Sequence, residues 1–284
     1  MFRNWLRVGM LCLAPLATGL AAQSTGADEL AALLERAGAS VERYFSQAQS
    51  LMCLEAVTLQ TLGPDLSPDR SPQRRLQYDL RIAWDDSTPG EAQVQRQLVK
   101  VGSRPPGPRD KPGCMDPRDS APEPLSILLP ANRKDYSFSP GGRGRVNGRN
   151  AVVVNYRSLE QGPITAKQTG ENCWSAELPG RERGKLWIDA ETSDVMRHDS
   201  WLSGIYDIEL PPSKEKPERE IMTISRYDNS TVYRRVTFKD PDETIVLPQS
   251  IELLQVVRNA GNVRIRHTFS NYRRFLSSGR IVQD

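Results

Sequence analysis

From Arg75 to Trp84 the chain alternates strictly. Leu76, Tyr78, Leu80, Ile82 and Trp84 fall on one side and Arg75, Gln77, Asp79 and Arg81 on the other. Successive side chains of a strand point to opposite faces, so this pattern predicts a strand with one buried face. The same pattern closes the chain over 262–275, where Val263, Ile265, His267 and Phe269 oppose Arg264, Arg266, Thr268 and Ser270. Between 28 and 52 the period changes. Leu30, Leu33, Leu34, Ala37, Val41, Tyr44, Phe45, Ala48 and Leu51 recur at helical spacing, opposite Glu35, Arg36, Glu42 and Arg43. With Thr25 and Asp28 spaced as a capping box at its start, one long amphipathic helix is predicted there.

The stretch Gly184 to Trp201 organises the remainder. Gly-Lys-Leu-Trp-Ile-Asp, a polar Ala-Glu-Thr-Ser-Asp break and Val-Met-Arg-His-Asp-Ser-Trp describe an antiparallel hairpin. A second hairpin over 138–157 turns at Asn147-Gly148, a pair that tolerates the two positive φ angles of a type I′ turn. Further strands are predicted over 53–62, 93–101, 205–208, 221–227, 231–239 and 244–258, and a short helix within 125–136. The segment 102–124 carries seven prolines and Cys114, which keeps it out of regular structure and makes it an ordered excursion or lid. Consecutive strands joined without intervening helices predict an antiparallel meander. The chain therefore reads as mainly β, an α+β fold with its helix in front, in a single domain over 23–284.

The first residues change the compartment. A basic head with Arg3 and Arg7, an apolar run from Val8 to Ala17 and small residues before Gln23 have the form of a secretory signal peptide over 1–22, with the mature chain starting near Gln23. The apolar run is too short to span a bilayer, no transmembrane segment is predicted, and Cys12 leaves with the signal. A periplasmic or secreted protein is expected. Without Arg3 and Arg7 the basic side chains fall from 38 to 36 and nearly balance the 35 acidic ones. The charges are scattered, which argues against a nucleic-acid partner. Of the mature cysteines, Cys114 and Cys173 lie in loop sequence and Cys53 starts a strand, so a Cys114–Cys173 disulfide is expected in an oxidising compartment.

Candidate chemistry is sparse. Only two histidines are present, and neither lies near a nucleophile elbow or a reactive-cysteine signature, so no catalytic residue is assigned and the protein is read as not an enzyme. His267, alternating with apolar residues, is expected to be a hydrogen-bonded core or cavity histidine. His198, between Arg197 and Asp199, is expected to be salt-linked at the surface. The Gly142–Gly148 stretch precedes a strand, which favours a glycine-bulged hairpin over a phosphate loop. Asp85-Asp86 and the Asp240, Asp242, Glu243 group sit where turns need such residues and lack calcium-loop spacing. No metal and no cofactor are predicted. Asn229-Ser-Thr has the form of a glycosylation acceptor, which matters only in a eukaryotic secretory route.

The order of elements resembles the LolA/LolB-like superfamily of periplasmic lipoprotein carriers and related lipid-handling proteins. The resemblance rests on Gly184, Trp187, Ile188, Asp189, Thr192 and Arg197 and on the terminal Thr-Phe-Ser-Asn-Tyr-Arg-Arg-Phe, behind a signal peptide and an amphipathic helix. It implies a strongly curved antiparallel sheet, an incomplete barrel whose concave face is covered by the N-terminal helix around an apolar cavity for acyl chains. The Pro-rich insertion near 102–124 and the loop around Cys173 depart from the family pattern. One helix is narrower than eight or more strands, so some apolar face is left for the sheet, the Pro-rich segment or a ligand to cover. The residues expected to line a ligand cavity are Tyr78, Leu80, Ile82, Trp84, Val154, Tyr156, Ile188, Val263, Ile265 and Phe269. The expected function is binding of a lipid, an acyl chain or a lipid-modified protein. The alternative is an envelope sensor or scaffold whose core is filled by its own side chains.

Overall fold

A computed structural model describes residues 20–48, 50–84, 92–117, 124–170, 173–212, 220–239, 242–258 and 260–274. The signal segment before Leu20, the Asp85-Asp86 turn and Asp240 lie outside the described residues. The chain runs α1 (Leu20–Gln47), β1 (Ser50–Leu62), β2 (Arg74–Trp84), β3 (Ala92–Val101), a 3₁₀ turn (Pro124–Leu128) and α2 (Pro130–Arg133). Then follow β4 (Tyr136–Val146), β5 (Arg149–Ser158), β6 (Thr165–Gly170), β7 (Cys173–Glu177), β8 (Glu182–Asp189), β9 (Val195–Leu202), β10 (Tyr206–Leu210), β11 (Glu220–Lys239), β12 (Asp242–Arg258) and β13 (Gly261–Arg274). The class is mainly β, and the described residues form one large antiparallel sheet with one long N-terminal helix and no closed barrel.

Sheet order is β3-β2-β1-β13-β12-β11-β9-β8-β5-β4, with β10 added on β11 and β6–β7 standing apart as a two-stranded ribbon. The expected meander is thus cut and rejoined. The first strand pairs with the last, Leu59 opposite Ile265 and Val57 opposite His267. The chain then travels from the edge strand β3 to the opposite edge, β4, through the Pro-rich segment. Three further boundaries differ from expectation. Helix α1 begins at Leu20 and ends at Gln47, so Thr25 and Asp28 lie inside it and Leu51 belongs to β1, opposite Ile82. Leu51 fits both periods because it faces the same core from the strand as it would from the helix. Strand β11 is continuous where two strands were expected, because Asn229 and Ser230 are paired on both sides, with Leu253 and Glu252 of β12 and with Ser200 and Asp199 of β9. Ribbon β6–β7, rich in Thr, Lys and Gln, carries little apolar alternation and was not foreseen. The Asn147-Gly148 turn has the expected positive φ angles, 50° and 81°.

Directly opposed residues share a face, so the register sorts side chains into rows. One row reads Tyr156, Gly184, Ser200, Asn229, Leu253, Ile265, Leu59. The next row on that face carries Val154, Leu186, His198, Thr231, Ile251, His267 and Val57. On this face α1 places Leu33, Leu34, Ala37, Val41, Tyr44, Phe45 and Ala48 in one cluster with Leu125, Ile127, Leu128, Val154, Tyr156, Leu186, Ile188 and Leu247. Ile82 of β2 and Phe138 of β4 pack against the same cluster. In a flat sheet those strands stand eight spacings, about 38 Å, apart, whereas a helix is about 10 Å across. Contact of both with one helix-centred core therefore requires the sheet to curl round α1. The face bearing these rows is concave.

Candidate functional site

Helix α1 fills one end of the concave face. The other end is covered by two segments outside the main sheet, the Pro-rich strap and the β6–β7 ribbon. Met115, in the Pro-rich segment, packs against Val57, Leu59, Leu76, Tyr78 and Ile265. Trp174, in β7, packs against Ile208, Leu210, Ile224 and Val257. The residue before each is a cysteine, and Cys114 and Cys173 form a disulfide. The expected pairing is therefore the one observed, and it ties strap to ribbon across the face. Cys53 is free and buried.

Between strap, ribbon and sheet lies a cleft of about 780 Å³. Leu59, Met115, Trp174, Leu210, Met222, Val257 and Val263 supply its apolar lining, with the disulfide at one side. Ile221, 60% exposed, stands at its edge. The strap holds its shape through carboxylates. Asp116 receives Arg74 through Nε at 2.9 Å and a terminal guanidinium nitrogen at 2.6 Å, and the Gly113 N–H at 2.9 Å. Asp110 accepts from Arg104 at 2.7 and 2.8 Å and from the Gly107 N–H. Those bonds hold the Asp110 carboxyl down to about 2, Arg104 being the main cause.

Two polar groups are sunk into the same concave face. Glu55, fully buried, accepts from Arg96 Nε at 2.7 Å and from His267 Nδ1 at 2.8 Å. Burial alone raises such a carboxyl, but here the bonds from His267 and Arg96 outweigh it and hold Glu55 below its ordinary value. His267 is thus hydrogen-bonded within the core, as its alternation with apolar residues implies. His198 overturns its expected place at the surface. Arg197 and Asp199 pair with each other on the convex face, and strand alternation turns His198 inward, where it is 2% exposed. Its Nε2–H donates to the Tyr156 hydroxyl at 2.7 Å, and that hydroxyl donates to Glu182 at 3.0 Å. Burial pushes the His198 imidazole down to about 4, so it is neutral near pH 7 and not part of an ion pair. Its Nδ1 has no partner among the described residues, nor have Thr231 Oγ1 and Asn229 Oδ1 nearby. Among the described residues no three His, Cys, Asp or Glu side chains gather as metal ligands.

Of the ten residues expected to line a cavity, the nine with described side chains are distributed along this face. Val263 lines the cleft. Tyr78 and Ile265 form the layer under Met115. Leu80 and Phe269 pack with Cys53, and Ile82 joins both that cluster and the α1 core. Val154, Tyr156 and Ile188 are sealed beneath α1. The Trp84 side chain is outside the described residues, though its backbone ends β2. The cleft residues that periodicity missed, Met115, Trp174, Leu210 and Met222, sit at strand ends or in loops, where no alternation marks them. Met115 and Trp174 carry one signal, adjacency, since Cys114-Met115 and Cys173-Trp174 each place an apolar side chain beside a crosslink, whereas Leu210 and Met222 carry none.

No protein-family model and no curated protein matches the sequence. Solved structures do resemble the fold. A LolA superfamily protein from Nitrosomonas europaea is 11% identical, with 84% of this chain and 93% of that one covered at a TM-score of 0.31. A DUF1329 family protein from Desulfovibrio piger is 11% identical over 86% and 94% of the two chains, at 0.35. The MucA/MucB complex of Pseudomonas aeruginosa gives 10% identity over 85% and 99%, at 0.24.

Proposed function

We propose that this chain is an exported, non-enzymatic binding protein that holds the apolar part of a lipid or acylated ligand in the concave cleft. The observation that carries the reading is the 780 Å³ cleft itself, apolar along its floor and walled by a crosslinked strap. Its volume lies in the range of about 300–1,000 Å³ usual for ligand pockets. Each methylene buried there contributes about 0.8 kcal/mol without any reactive group. A disulfide persists in an oxidising compartment, which accords with cleavage of 1–22 and a periplasmic or secreted mature domain over 23–284. The filled half of the concave face under α1 accords with a scaffold, so the two readings divide the same face between them. Delipidated protein titrated with a fluorescent fatty acid tests the proposal. Met222→Asp and Val263→Asp, both half-buried at the cleft, should each weaken uptake at least tenfold while the circular dichroism spectrum is retained. If wild-type protein takes up no acyl probe, the binding reading is wrong and the scaffold reading replaces it.

A further inference from the structure

The convex face carries a second groove, unrelated to the cleft. One row across it reads Arg183, Trp201, Asp228, Leu254, Arg264, each residue directly opposite the next on β8, β9, β11, β12 and β13. A groove of about 570 Å³ runs here, lined by Trp201, Leu254 and Arg264 with Arg197, Arg226 and Glu252. The acids in this region already have partners. Asp199 holds Arg197, Asp228 holds Arg226 and Glu252 holds Arg266. Two arginines bound this stretch of the row: Arg264 lines the groove, and Arg183, opposite Arg157 of β5, stands beside it outside that lining. Arg183 lies over the Trp201 ring at 5.9 Å, and neither it nor Arg264 has a carboxylate partner among the described residues.

We propose that this groove docks an extended acidic segment of a partner protein, with two carboxylates about six residues apart and an apolar or aromatic side chain between them. The spacing follows from the row. Arg183 and Arg264 are four strand spacings, about 19 Å, apart, and an extended chain covers about 3.3 Å per residue. Trp201 and Leu254, on either side of Asp228, give an apolar floor to a side chain at the third or fifth position, which shares the face of both carboxylates, and tryptophan and arginine are among the residues enriched at the energetic centre of interfaces. Paired acids alternating with arginines along the floor favour a peptide over a uniformly anionic lipid surface, since Asp199, Asp228 and Glu252 repel a continuous layer of phosphates.

A fluorescein-labelled heptapeptide with glutamate at both ends, phenylalanine at the fifth position, on the same face as both glutamates, and threonine elsewhere tests the proposal by anisotropy at low and high salt. Binding should weaken at least tenfold when the end residues are lysine, at least threefold with Arg264→Gln, and further with Arg183→Glu. The Arg183→Glu, Arg264→Glu double variant should bind the lysine-ended peptide instead. That exchange of preference cannot come from misfolding. Val263→Asp in the cleft should leave peptide binding unchanged, so failure of the cleft reading and failure of this one are separable. Wild-type protein that shows no saturable peptide binding overturns the proposal. So does phosphatidylglycerol vesicle binding that depends on Arg183 and Arg264 while the peptide does not compete, an outcome that assigns the groove to a membrane surface.

Discussion

The Tyr156 hydroxyl lies 2.7 Å from His198 Nε2, and the two rings stack at 5.5 Å between centroids. That contact seals the histidine under the α1 core, where charging it is costly. The unfolded chain binds a proton at about 6.5 and the folded one only near 4.

Stability should therefore fall with acidification from about pH 6.5 to pH 4, because in that window the unfolded state binds more protons. The loss across the window is on the order of 3 kcal/mol, with little further contribution from this residue below it. Urea denaturation at half-unit pH steps reads the slope. His198→Gln should flatten it, and an unchanged slope in that variant would contradict the assignment.

Much of this architecture is legible in the sequence, and the reasons are local. Strands such as β2 announce themselves because one face meets apolar neighbours and the other meets water. Asn147-Gly148 is explicit because few pairs adopt its two positive φ angles. The position of His198 was misread for an equally local reason. Arg197 and Asp199 flank it in sequence, yet period two sends them to the opposite face, so sequence neighbours mislead inside a strand. The pairing of β1 with β13 and the cleft residues of the strap depend on contacts remote in the chain. Leu59 and Ile265 carry no mark that they meet.

Glu55 makes a contrasting prediction at lower pH. Glu55→Gln removes the charge that Arg96 and His267 both bind, in a site where Glu55 is fully buried and the Arg96 side chain is 12% exposed. Breaking a buried pair of this kind costs about 3–5 kcal/mol. In the wild-type protein the contribution of Glu55 is present above its ordinary value of 4.5 and is lost as pH falls through its lower folded value. Chemical denaturation of the variant at pH 7 and pH 3 should show a large deficit at pH 7 that shrinks at pH 3. A deficit equal at both pH values would place the loss in packing instead of charge.

The cysteines separate by reactivity. Cys114→Ser with Cys173→Ser opens a loop of 59 residues, which by loop-closure entropy should cost about 4 kcal/mol. It should also speed release of an acyl probe, because strap and ribbon are then no longer tied to each other and the strap keeps only its packing and the Arg74–Asp116 ion pair. Cys53 behaves oppositely. Burial, with the nearby Glu55 charge, pushes its thiol up to about 12, so iodoacetamide at pH 8 should label it only after denaturation. Mass spectrometry of native protein showing rapid alkylation of Cys53 would contradict its burial.

Gly184 opens the hairpin that organises the sheet, and space explains why a glycine stands there. A Cβ on residue 184 would lie 2.2 Å from the Asp199 carbonyl oxygen and 2.6 Å from the edge of the Tyr156 ring. The first atom is backbone of the paired strand β9 and cannot turn aside as a side chain can. The second belongs to the ring that covers the glycine and holds His198. Overpacking a core costs about 1–3 kcal/mol where side chains can yield. Gly184→Ala, which presses on backbone, should cost about 3 kcal/mol or more by urea denaturation. It should also shift Tyr156 away from His198. The acid slope between pH 6.5 and pH 4 should then become shallower in the alanine variant than in the wild-type protein, because a loosened histidine regains access to protons. A destabilised Gly184→Ala that keeps the full wild-type slope would show that the ring over Gly184 and the burial of His198 are independent.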